Sequence, residues 1–203
     1  MTDLEWFNKP VEKSRDLILK EAFKLYLQKN VEKVTVPELE RVTKLHRGAI
    51  FYHFKDKEMI FRETIDIYFF SPLNIFHPLP SEQAYSLDEY WKQKMEHLNR
   101  ISAWFEKELI AFNPCFSFFH LANQANLYIP TFSEKMRSLI DSDKQNWKNV
   151  ALSDHLVREK KMDSDVIGNM YRNLYIEQCH TSCYNKGKLL CFYPVSISTS
   201  LNS

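Results

Sequence analysis

The run TVPELERVTKLHRGAIFYHFKDK, residues 35–57, constrains the chain more than any other, because it encodes two brief helices back to back. Thr35 and Glu38 form a capping box at the start of the first, and Pro37 falls in its opening turn, where a missing N–H does little harm. That helix runs to about Thr43 with Leu39 and Val42 inward. The next spans His46 to Phe54, anchored by Leu45, Ile50 and Phe54, with Ala49 allowing a close approach to its predecessor. Upstream, residues 14–29 place Leu17, Ile18, Ala22, Leu25 and Tyr26 on one helical face, and Asn30 stands where a left-handed residue would stop the helix. Three helices with the last two short and joined by TKLH make a helix-turn-helix. The outward side of its third helix shows His46, Arg47, Gly48, Phe51 and Tyr52. Gly48 is conspicuous: the chain has only 3 glycines in 203 residues, and one inside a helix costs about 1 kcal/mol relative to alanine. Either it permits close helix packing, or a side chain there would obstruct something outside the chain.

Charge bears on that choice. The protein is near neutral, +1 overall, but residues 1–57 carry 12 Lys/Arg against 9 Asp/Glu. Within 41–57, Arg41, Lys44, Arg47, Lys55 and Lys57 face only Asp56. A small basic patch on a near-neutral protein fits a polyanion met by one surface. A recognition helix sets its N-terminal residues against base edges in the major groove of DNA. Arg47 suits a bidentate contact to guanine and Phe51 a thymine methyl, while Lys57 opens a helix whose N-terminus attracts phosphate. Each residue also has an ordinary reading, as a packed aromatic or a solvated cation. The spacing taken together favours DNA.

From Ser14 to Asp66, and most densely over GAIFYHFKDKEMIF (48–61), the chain resembles the DNA-binding domain of the TetR family of transcriptional regulators. The resemblance implies that Arg47, Gly48 and Phe51 read the major groove, beside His46. It implies that Tyr52, His53 and Lys57 hold phosphates, with Thr35 doing so from the start of the second helix. Two positions depart from the family's habit. Lys44 occupies the turn where glycine is usual, and Glu40 stands where alanine is common. Lys44 must then tolerate an awkward backbone geometry, and Glu40 is unfavourable if it points at DNA. His46 is a poorer helix cap than Asn, Ser or Thr.

Beyond this head, few glycines, 8 prolines and 44% hydrophobic residues point to an all-α chain. The expected organisation is a helix-turn-helix domain at 1–57 and a helical-bundle regulatory and dimerisation domain at 58–203. Helices are expected from Lys57 to about Phe70, from the SLDE capping box at 86–89 to about Ile110, from Pro114, from 130–134, and from Asp163 or Ser164 to Gly187. Residues 71–85, with three prolines, read as a connection between two of them, mobile or not.

Residues 109–133 carry no charge. An apolar effector pocket lined by Phe112, Phe116, Phe119, His120 and Gln124 is one reading of them, and a dry core the other. The resemblance implies release of DNA when an apolar or aromatic small molecule binds in this body. The stripe Gly168, Tyr171, Tyr175, Cys179 and Cys183, beside Ile167, Met170 and Leu174, reads as a dimer face. Two recognition helices one DNA turn apart need a homodimer. CHTSC (179–183) reads as a structural cysteine pair, short of a metal set. Residues 188–203 allow six helical residues at most before Pro194, so a final helix is expected to be shortened or replaced.

No paired acids, nucleophile–base pair or phosphate loop suggests an enzyme, and no cofactor or metal is expected. With no signal peptide and no apolar span, the expected location is the cytoplasm. The function expected is a dimeric repressor on a palindromic operator, released by a small molecule. The alternative is a helical dimeric interaction module without specific DNA binding.

Overall fold

In the structure, a computed structural model that describes residues 13–184, the chain runs through helices α1 (Ser14–Tyr26), α2 (Val36–Thr43), α3 (Arg47–His53), α4 (Lys57–Thr64), α5 (Leu87–Lys107), α6 (Pro114–Tyr128), α7 (Phe132–Ser153), α8 (His155–Glu159) and α9 (Ser164–Ser182). A π-helical turn at Ile65–Phe69 extends α4, and 3-10 turns cover Val31–Lys33 and Ser81–Gln83. There is no strand among the described residues, and the fold is all-α. Residues 1–12 and 185–203 lie outside the described part, and with them the expected helix end at Gly187 and the shortened final helix.

Side-chain caps start most helices where the sequence places them. Thr35 accepts from the Glu38 N–H and Ser86 from the Glu89 N–H, while Asn113 and Asp163 cap α6 and α9. Each cap satisfies a backbone donor that the first turn leaves orphaned. The end of α1 differs from expectation. The helix stops at Tyr26 with Leu27 right-handed, and Asn30 (φ −59°) is no left-handed cap. The chain turns there because the 3-10 turn buries Val31, tucking the strand of backbone under α1.

The head closes around α1. Ile18, Leu19, Ala22, Phe23 and Tyr26 are fully buried, and Leu39, Ile50, Phe54 and Ile60 pack into the same core from α2, α3 and its C-cap, and α4. Phe23 reaches across into the body, stacking on Tyr68 (ring centroids 5.3 Å) and Trp104 (6.4 Å). Lys24 reinforces this junction through Glu108 at 3.0 Å, and the Gln28 side chain accepts from the Ala111 N–H at 3.1 Å.

Much of the segment 71–85 is packed against the body. Leu73, Asn74, Ile75, Phe76 and Leu79 are buried. Asn74 donates to the Phe69 carbonyl and accepts from the Phe76 N–H, a local turn that satisfies backbone groups in place of a helix. Helix-borne side chains then hold the segment by its carbonyls, among them Tyr90 and Asn146 on Leu79, Lys94 on His77 and Tyr175 on Ile75. Lys94 is fully buried. Its ammonium lies 3.1 Å from one oxygen of Asp143 and 4.7 Å from the Tyr175 ring centroid, and Arg172 takes the other Asp143 oxygen at 3.0 Å. One carboxylate thus serves two cations inside the bundle. Nearby His97 is held neutral, its pKa lowered to about 3 by burial and by the Lys94 charge.

Helix α9 packs mainly along α7. A Cβ at Gly168 would lie 3.0 Å from backbone atoms of Trp147 and Lys148, so the glycine lets the two helix backbones meet. This overturns half of the expected dimer face. Tyr171 and Tyr175 turn inward, 2% and 0% exposed, because the Gly168 stripe is the seam with α7, where Tyr171 faces the ring of Trp147. The outward face of α9 carries Val166, Met170 and Leu174 instead, with Ile167 half-buried between the two.

Candidate nucleic-acid interface

The turn between α2 and α3 is made by Lys44, whose backbone is left-handed (φ 59°, ψ 22°) and whose N–H closes on the Glu40 carbonyl at 2.9 Å. A side chain in that region costs about 1 kcal/mol, which glycine escapes. We therefore expect Lys44→Gly to raise stability by about 0.5–1 kcal/mol, read from the urea midpoint at unchanged m-value.

The other departure has a structural account as well. The Glu40 carboxylate accepts the Arg47 N–H at 2.6 Å. His46 makes no side-chain cap, so α3 is capped from one helix back, by a full negative charge at its positive end. Glu40 is thereby committed to the turn rather than aimed at a partner. What could have revealed this from sequence was the conjunction of a poor cap at His46 and an acid where a small residue is usual.

The outward surface of α3 is as follows. His46, Arg47, Gly48 and Tyr52 are exposed, Tyr52 by 85%, while Phe51 and His53 are half-buried. Arg47 lies over the Phe51 ring, its guanidinium carbon 5.3 Å from the centroid, so the cation is held at the exposed end of the helix. Tyr52 stands edge-on to His53 at 5.1 Å. Ala49 is exposed too, so it does not mediate the approach to α2; Ile50 and Leu45 are the residues that pack on the core here. A Cβ built on Gly48 meets nothing within 4 Å. Packing among the described residues therefore gives no reason for this glycine.

Thr35, at the start of α2, is exposed with its hydroxyl on the Glu38 N–H at 3.4 Å. Lys57 is less free than its sequence position suggests. Its ammonium donates to the carbonyls of Val34 (2.8 Å) and Glu32 (3.4 Å), pinning the start of α4 beside the start of α2. Among the described residues no carboxylate pairs with Lys44, Arg47 or Lys55, all exposed. Their charge is available to an outside anion.

Behind this surface, α6 touches the head with its C-terminal half. The Gln124 side chain accepts the Val31 N–H at 3.1 Å, and the Tyr128 hydroxyl donates to Glu32. A cleft of about 160 Å³ lies at this junction, walled by Lys57, Phe61, Arg62 and Tyr128 among others. The residues expected to line an effector pocket scatter along α6. Phe112, just before α6, meets Phe116 at a tilt and Phe116 stacks on His120, with Phe112 and Phe116 exposed, while Phe119 packs on Phe76 (4.9 Å) and Gln124 serves the head.

A helix-turn-helix with its recognition helix exposed, carried on a helical body, defines a DNA-binding regulator. The sequence model for bacterial regulatory proteins of the tetR family matches residues 18–64, and the helix-turn-helix of this chain belongs to the TetR family. No curated protein matches the chain. Among solved structures it is similar to native NalD, the secondary repressor of the MexAB-OprM multidrug efflux pump in Pseudomonas aeruginosa. That likeness covers 87% of this chain and 89% of the other, at 16% identity and a TM-score of 0.41. No helix among the described residues is long and apolar enough to cross a membrane.

Proposed function

We propose that the chain is a transcriptional repressor that binds a palindromic operator as a homodimer and releases it when an apolar or aromatic small molecule binds the body, residues 58–203. The observation that carries the DNA-reading part is Gly48. A helical glycine with open space around it, next to an arginine whose guanidinium meets no carboxylate among the described residues, is what close approach of a duplex requires. On this reading Arg47, Gly48, Phe51 and His46 face the bases, and Tyr52, His53, Thr35 and Lys57 the phosphates. The alternative, a protein-contact module, rests on Lys44, Glu40 and the unusual residues 188–203. The first two have a role in building the turn, and the last lie outside the described residues.

The test is selection of bound fragments from the source genome, with Arg47→Ala in parallel. An inverted repeat should emerge for the parent. Arg47→Ala should lose about 1–3 kcal/mol at one base position per half-site, while Tyr52→Ala should weaken all sequences alike and flatten the salt dependence. Unchanged base preference in Arg47→Ala would remove this reading face.

The outer face of α9 supports the dimer. Val166, Met170 and Leu174, all exposed, line a shallow groove with Asn169, Asn173 and Glu177. Leu174→Asp is expected to leave the fold intact and shift the protein to monomer in sedimentation, since it places a charge in an apolar contact. A dimer of unchanged strength would move the interface elsewhere.

A further inference from the structure

The cleft of about 160 Å³ where α6 meets the head is built from both parts of the chain. Val31 and Glu32 come from the 3-10 turn after α1, Phe61 from α4, and Tyr128 and Ile129 from the end of α6. Val31, Phe61 and Ile129 are buried and give the cleft apolar walls. The Tyr128 ring, 45% exposed, stands edge-on to Phe61 with centroids 6.4 Å apart. The charged residues around the cleft balance in sign, Glu32 and Glu58 against Lys57 and Arg62. We propose that this cleft binds a small uncharged phenol.

Size, charge and hydrogen bonding each narrow the class. A cavity of about 150 Å³ takes benzene, whereas drug-sized ligands fill about 300–1,000 Å³, so this cleft accepts one ring with short substituents. Apolar walls penalise a charged ligand, and surrounding charges of balanced sign supply no net field to offset its desolvation. A hydroxyl suits such surroundings because it donates and accepts at once. Tyr128 shows half of this chemistry, since the chain's own phenol donates to the Glu32 carboxylate. Glu32 keeps lone pairs beyond that bond, and Lys57 keeps one N–H beyond those given to the Val34 and Glu32 carbonyls. A ligand hydroxyl therefore donates to Glu32 or Glu58 and accepts from Lys57 or Arg62, with its ring against Val31, Phe61 and Ile129.

A site shared by two parts of a chain binds most tightly in one arrangement of them, and its ligand shifts their equilibrium by that difference in affinity. Lys57 carries the choice toward the reading surface. It lines the cleft and also holds the Val34 carbonyl, one residue before the Thr35 cap of α2. A phenol in the cleft therefore fixes the head against α6 and acts on the start of α2, which releases DNA. This last step rests on the proposed function and seats its effector at the junction, whereas the binding itself does not rest on it.

The experiment titrates phenol into the full chain, labelled at its isoleucine and valine methyl groups, with benzoate and benzylammonium as charged controls. Methyl NMR should show saturable shifts at Val31 and Ile129, with a dissociation constant of about 1 mM or tighter for so small a ligand. Both charged rings are expected to bind about tenfold more weakly or worse. Ile129→Phe, which fills the cleft, should weaken phenol by about tenfold or more; if that variant does not fold, the methyl map of the parent decides. Val31 and Ile129 unmoved at about 10 mM phenol, or saturable shifts confined to other methyls, would overturn the site. Benzoate or benzylammonium binding as tightly as phenol would overturn the ligand class. Operator affinity is then measured with and without saturating phenol. A loss of about threefold or more is expected, matched by an equal loss of phenol affinity on the DNA complex. Operator affinity that does not fall would refute the coupling and leave the cleft standing. If the protein selects no DNA at all, the proposed function fails, and the methyl shifts still decide the cleft.

Discussion

Gly48→Ala is expected to make the protein more stable and a worse DNA binder. The added methyl meets nothing in the free chain and removes the helix penalty of glycine, worth about 0.5–1 kcal/mol. On the duplex the same methyl fills the space that the backbone needs, and forced contacts of that kind cost about 1–3 kcal/mol, tenfold or more in affinity. Urea denaturation and a binding titration on the selected operator give the two numbers. Opposite signs identify a clearance for an external body. A gain in stability with affinity intact would mean that α3 stands off the DNA at position 48.

Asp143→Ala should cost more than any single change in the head, about 3–5 kcal/mol. It strands two cations, Lys94 fully buried and Arg172 nearly so, with no carboxylate between them. Lys94→Met is the informative partner. It leaves Asp143 and Arg172 as a one-to-one pair and should cost no more than about 2 kcal/mol, mainly for the lost bond to the His77 carbonyl. Equal losses in both variants would show that packing around Tyr175, rather than charge balance, sets the stability here. The cluster joins α5, α7, α9 and the segment 71–85, so the whole body feels its removal.

The head was largely legible in the sequence because its signals are local. A capping pair such as Thr35 with Glu38 acts within one turn, and the anchors Leu39, Ile50 and Phe54 follow helical spacing. The body was legible only as helices. Apolar residues lie on two sides of α9, and periodicity alone does not say which side meets the chain's own α7 and which is left for a second copy. Tyr171 and Tyr175 were assigned to the wrong side for that reason; the Gly168 contact that decides it is tertiary. The segment 71–85 misled in the same way. Its prolines signal irregular backbone, but its burial depends on Tyr90, Lys94 and Tyr175, which come from helices up to 100 residues away.

The borrowed cap on α3 bears on how this protein could be re-engineered. Because Glu40 of α2 closes the N-terminus of α3, the smallest transplantable reading unit is the pair of helices with their Lys44 turn, not the seven residues of α3. A chimaera that grafts Arg47–His53 onto a related scaffold with alanine at the Glu40 position inherits an uncapped helix. Replacing His46 with serine in the same graft restores a local cap. Positions 40 and 46 are thus a linked choice, and libraries that vary operator preference have to sample them together.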